Sequence, residues 1–102
     1  MTPVNKSAQF ERDFERDALL ICDANPPAAL RFVDAVDAAI KLLAQHPEIG
    51  PVWRYGNPKH PTRYLLVSGV HNYLTCTRHE HGSVRLGRLM HGAQDLKDVL
   101  GE

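Results

Sequence analysis

Much is scarce in this chain of 102 residues. It has two cysteines, Cys22 and Cys76, far apart and neither in a Cys-x-x-Cys pair. That argues against a disulfide framework or a cysteine zinc site and fits reduced thiols, so a cytoplasmic location is expected. No apolar run approaches the length of a membrane span, and no membrane association is expected. The segment Met1-Thr2-Pro3-Val4-Asn5-Lys6 lacks the apolar core of a secretory signal. There is no phosphate-cradling Gly loop and no Gly-x-Ser-x-Gly. Internal repeats, low-complexity tracts and linkers are absent too, so one domain over 1–102 is the expectation. Hydrophobic residues at 43% and charged residues at 24% are enough for an ordinary buried core.

Net charge is also absent, but only as a total. Residues 1–48 carry five Lys or Arg against eight Asp or Glu. Residues 49–94 carry Arg54, Lys59, Arg63, Arg78, Arg85 and Arg88 against Glu80 alone. Five of the six histidines lie in that same stretch. If the acidic half is helical and the basic half is sheet, the sheet offers a positive surface for an acidic partner or a phosphate backbone.

The periodicities support that division. Residues 2–6 make a poor short edge strand because of Pro3. Ser7 can cap a first helix whose apolar face is Phe10, Phe14, Ala18, Ile21 and Cys22. Glu11, Arg12, Asp13, Glu15, Arg16 and Asp17 fill its other sides, most simply as a solvated face. Asn25-Pro26-Pro27 ends that helix and caps a second, with Ala29, Phe32, Val33, Val36, Ile40 and Leu43 at helical spacing. The link is so short that the two must form an antiparallel hairpin. Residues 51–61, with three prolines and a glycine, read as a loop pinned by Trp53 and Tyr55. Three strands follow, 63–67, 72–78 and 84–90, on short Gly-containing connections. The expected fold is α+β: a helix hairpin packed on a small antiparallel sheet, with a short helical segment at the C-terminal end.

The last strand empties into His91-Gly92-Ala93-Gln94-Asp95-Leu96. Upstream lie Asp13-Phe14, the run Asn25-Pro26-Pro27-Ala28-Ala29-Leu30-Arg31-Phe32, Ala39-Ile40 and Pro47-Glu48-Ile49-Gly50. Arg63 opens a strand, and Tyr73 and Arg78 bound the next. In this order and spacing, from about Ser7 to Leu100, the chain resembles ParE-type toxins of the RelE/ParE superfamily, the plasmid stabilisation proteins. It departs from them at Gln94, where Arg is usual, at Asp17, where an apolar residue is common, in its poor first strand and in its low overall charge. The resemblance implies a toxin of a type II toxin–antitoxin module, neutralised by a cognate antitoxin, with no cofactor. For ParE-type members the implied target is DNA gyrase, and for RelE-type members it is mRNA on the ribosome. A homodimer or a toxin–antitoxin heterotetramer is compatible with either. Gln94 keeps open a third reading, an antitoxin-binding module without toxicity.

A RelE-type cut needs cations on the phosphate and a proton-transfer group. Arg63, Arg78 and His91 are the candidates if the chain is a nuclease. Arg63, Tyr73, Arg78, Arg85 and His91 are the candidates for contact with a target or an antitoxin. Alternation along an unbroken strand puts Arg88 with Val84, Leu86 and Met90, and His91 with Arg85 and Leu89. Arg88 is thereby read as a structural cation, paired with Asp95. His79-Glu80-His81 has no third ligand at a recognised spacing, so no metal site is expected.

Overall fold

The computed structural model describes residues 1–53, 61–69 and 73–92. Tyr55, Gln94, Asp95 and the expected C-terminal helical segment lie outside these residues.

Strand β1 spans Val4–Lys6, helix α1 Ala8–Ala24 and helix α2 Pro26–Gln45. Strands β2 (Arg63–Leu66), β3 (Tyr73–Glu80) and β4 (Ser83–His91) follow. The helices start and stop where local chemistry directs. The Ser7 hydroxyl accepts from the Phe10 amide at 3.0 Å, satisfying one of the donors a helix start leaves unpaired. Asn25 closes α1 by donating its N–H to the Ile21 carbonyl, and its side chain accepts from the Ala28 amide at the start of α2. Pro26 occupies the first turn of α2, where a missing N–H is no loss. Phe14 of α1 stacks on Phe32 of α2 with centroids 5.6 Å apart, joining the hairpin.

The sheet order is β1-β4-β3-β2. β2, β3 and β4 form the expected antiparallel meander. β3 and β4 join through His81-Gly82, both at positive φ (54° and 77°), as a two-residue type I′ turn requires. The expectation of a wholly antiparallel sheet is corrected at β1, which lies parallel to β4 with Val4 opposite Val84. Pro3 fits this edge because it offers only its carbonyl, which accepts from the Val84 amide at 2.8 Å. The Ser7 hydroxyl then donates to the Gly87 carbonyl at 2.7 Å, so the cap of α1 also anchors it to the last strand.

Between helices and sheet lies the main core, with Phe10, Phe32, Leu43, Val84, Leu86 and Leu89 each at most 2% exposed. Leu74, Cys76 and Met90 form a second cluster with Trp53 and Tyr64. These two clusters correct the expected strand parity. Thr77 faces Leu86 and Cys76 faces Arg88, so Gly87 is an extra residue on β4. This bulge flips the alternation. Val84 and Leu86 therefore share the helix side with Leu89, while Met90 goes to the other side with Cys76.

Gly50 fixes the entry into the sheet. Its φ is 96°, and a Cβ there would run into the Tyr64 carbonyl. Its own carbonyl accepts from Arg63 Nη1 at 2.9 Å. Gly50→Ala is expected to cost about 1–3 kcal/mol through backbone strain and displacement of β2. Urea denaturation checks this, by a lower midpoint at unchanged slope.

Candidate functional site

Two acids on α1 organise the end of the sheet. Asp13 and Asp17 are 3% and 8% exposed, so the expected solvated acidic face is corrected at both positions. They occupy the gaps of the stripe 10, 14, 18, 21 and turn inward with it, because residues three and four apart share one helix face.

Asp13 meets β4 where β1 has already ended. Its carboxylate accepts from Arg88 Nε at 2.7 Å, from Arg88 Nη2 at 3.1 Å and from the Leu89 amide at 3.1 Å. Arg16 Nη2 approaches to 3.7 Å. Burial pushes the Asp13 carboxyl up, but the bonds from Arg88 and Leu89 and the charges of Arg88 and Arg16 outweigh it and hold it below its ordinary value. The reading of Arg88 as a structural cation therefore finds its partner on α1. The expected partner, Asp95, lies outside the described residues.

Asp17 sits one turn further along α1. It accepts from Arg16 Nε at 3.0 Å and from the Tyr73 hydroxyl. Burial, together with the charge and hydrogen bond of Asp17, pushes the Tyr73 phenol up to about 12. Tyr73 is thus a neutral packing residue, edge-on to Phe32 at 4.9 Å and tilted against the exposed His91 at 5.0 Å.

The other candidates are dispersed. Arg63 lies on the helix side of the sheet, opposite Thr77, and is held by the Gly50 carbonyl with Glu48 3.9 Å away. His91 is opposite Tyr73, four residues along β3 from Thr77, which is about 13 Å at the usual strand rise. Arg78 and Arg85 face one another on the opposite side, where Arg78 Nη2 donates to Thr62 Oγ1 at 3.1 Å. Arg63, Arg78 and His91 are therefore not gathered into one centre. Arg78 and Arg85 are, with Arg88 beside them around a cavity of about 190 Å³. Among the described residues no three metal-ligating side chains converge.

An apolar groove of about 470 Å³ runs along the hairpin, lined by Phe10, Phe14, Ala18, Leu19, Val36 and Ile40. Its rim carries Glu11, Glu15 and Asp37 against Lys6 of β1. Leu19 is 59% exposed there. β1 is an edge strand beside this groove. The opposite edge, β2, is partly covered: the Trp53 amide donates to the Thr62 carbonyl at 2.7 Å and the Tyr64 amide to the Pro51 carbonyl at 3.1 Å. No helix among the described residues is long and apolar enough to cross a membrane.

This architecture, a helix hairpin on a four-stranded mixed sheet, is similar to that of a solved chain from the chromosomal ParDE TA system of P. aeruginosa. The TM-score is 0.73 at 16% identity, over 90% of this chain and 97% of that one. No curated protein sequence matches the chain. The family model for the ParE toxin of the type II toxin–antitoxin system parDE matches residues 4–96, and the chain belongs to that family.

The Asp13–Arg88 contact generates two predictions. Arg88→Ala is expected to destabilise the fold by on the order of 2–4 kcal/mol, because it strands a buried carboxylate. If the variant melts like wild type yet loses activity, Arg88 acts on the target instead. The second concerns acid. Folded Asp13 holds its proton more weakly than the unfolded chain does. Its contribution is therefore full above the unfolded value of 3.8 and is lost as pH falls through the lower folded value. Asp13→Asn should lower the melting temperature at neutral pH and flatten its decline in acid. An unchanged acid limb would assign that decline to other carboxylates.

Proposed function

We propose that this ParE-family chain inhibits DNA gyrase by binding, performs no chemistry of its own, and is neutralised by an antitoxin that covers the hairpin groove. The observation that carries the first part is the dispersal of the nuclease candidates. Arg63 is engaged by the Gly50 carbonyl, Arg78 lies across the sheet from it, and His91 stands at the far end of β3 from Arg63. An acid–base step requires its groups within hydrogen-bond reach of one phosphate, and these three do not meet that condition. The gyrase target follows from the family resemblance, and the sheet geometry favours it over ribosomal mRNA cleavage.

The groove supports the second part. An amphipathic helix inserts apolar side chains at helical spacing into such a surface. With Glu11, Glu15 and Asp37 on the rim, that helix carries basic flanks. Where the same antitoxin crosses the sheet face bearing Arg78 and Arg85, it is acidic. An extended stretch of it has one strand edge beside the groove to pair with, that of β1.

Induced expression is expected to remove plasmid supercoiling or accumulate double-strand breaks while mRNA ends stay intact. Ribosome-dependent cuts with normal topology would move the function to the nuclease reading. Unimpaired growth with an intact antitoxin complex would mark a module without toxicity. The double variant His91→Ala, Arg78→Ala distinguishes the first two, since a nuclease built on these residues loses at least a hundredfold in cleavage. Association with the antitoxin should slow as salt rises, and a salt-independent rate would sink the charge argument.

A further inference from the structure

Helix α1 separates two hollows. The apolar hairpin groove lies on its α2 side, and on its β4 side runs an open hollow of about 560 Å³. Glu15 and Leu19 line both, so they form the ridge between them. Gln9, Arg12 and Arg16 precede Leu19 at three- and four-residue spacing, which sets all four on one helix face. Arg88 closes the far wall, just past the point where β1 stops covering β4.

Three guanidinium groups meet in this second hollow, with Asp13 and Glu15 as its carboxylates. Acids and cations are arranged differently there. Asp13 and Asp17 are buried on the core side, whereas the Arg16 side chain is 58% exposed and that of Arg88 31%. Arg88 reaches Asp13 through Nε and Nη2, which leaves Nη1 without a partner among the described residues. Arg16 donates a hydrogen bond only through Nε. Arg12 is exposed, and among the described residues no carboxylate pairs with it. A partner arriving from solvent therefore meets donors, with Glu15 on the ridge as the one exposed acid.

We infer that this hollow seats an acidic stretch of the antitoxin, its carboxylates on Arg12, Arg16 and Arg88, in continuation of the helix that fills the hairpin groove. The identity of the occupant rests on the antitoxin reading above, while the preference of the hollow for carboxylates does not. Guanidinium forks match the two oxygens of a carboxylate. A nucleic-acid strand fits α1 less well, because Glu11, Glu15 and Asp37 around the adjoining groove repel a uniform polyanion. A polypeptide can change sign along its length. A helix with its side chains is roughly 10–12 Å across, so about four extended residues carry a chain over the ridge. The antitoxin helix with basic flanks is thus joined to its acidic stretch by a short link.

The test is an amide NMR titration of the full chain with hexaglutamate at low ionic strength, with hexalysine and a thymidine hexanucleotide in parallel. Saturable shifts at Gln9, Arg12, Arg16 and Arg88 are expected with hexaglutamate and with neither of the others. Arg12→Glu should weaken that binding about fivefold while melting like wild type, because Arg12 pairs with nothing in the fold. An equal response of these residues to the hexanucleotide would give the hollow to a phosphate backbone and overturn the proposal. Shifts confined to Arg78 and Arg85, or unchanged affinity in Arg12→Glu, would overturn it as well. Hexaglutamate contains no apolar helix, so these outcomes are independent of the groove and of the gyrase target. An amphipathic peptide with lysine flanks reads the groove by itself, through shifts at Phe14, Ala18 and Ile40. Joining a glutamate tail to that peptide should tighten it on wild type and not on Arg12→Glu. No gain on wild type would overturn the continuity of the two sites.

Discussion

One carboxylate replaces a missing strand. β1 covers β4 only from Val84 to Leu86, and beyond that point β4 would expose an unpaired backbone edge. Asp13 supplies the acceptor that a further β1 residue would have given, taking the Leu89 amide from the side of α1. A charge placed in such a site requires compensation, and Arg88, the adjacent residue on β4, provides it through two bonds. The bulge at Gly87 belongs to the same arrangement. It lets Val84, Leu86 and Leu89 all enter the core while Arg88 reaches the carboxylate. The position of α1 on the sheet, and with it the Tyr73–Asp17 contact, depends on this junction.

Surfaces of opposite character result. The helix hairpin presents an apolar groove with a mostly acidic rim, and the far face of the sheet presents Arg78 and Arg85. A partner wrapping both must change the sign of its own charge along its length. This is a stricter requirement than apolar complementarity, because a segment of uniform charge would be repelled at one of the two surfaces. The neutral total charge of the chain conceals this polarity.

The elements were legible because their punctuation is local. Ser7, Asn25-Pro26 and His46-Pro47 bound the helices, and Gly82 marks the hairpin turn. Apolar spacing identified Phe10, Phe32, Val36 and Leu43 as interior. What stayed hidden depends on non-local partners. Asp13 and Asp17 lie on the apolar stripe, but an acid in a stripe is tolerable only if a distant cation or donor meets it, and Arg88 is 75 residues away. The grouping of residues on β4 failed for a different reason. A single inserted residue reverses every later side chain, and Gly87 was its only trace in the sequence. The parallel pairing of β1 was equally invisible, since direction is set by where α1 leaves the strand and not by the composition of Val4–Lys6.

That parallel pairing also orders events in time. The Ser7 hydroxyl and the Gly87 carbonyl it binds are separated by 80 positions, so the first strand has no partner strand until nearly the whole described chain exists. The hairpin can form early from nearby residues, but closing so long a loop must await its late counterpart. During synthesis the groove of the hairpin therefore emerges before the arginine-bearing face is assembled. A partner that recognises only the helices can engage the nascent chain while its sheet is still incomplete.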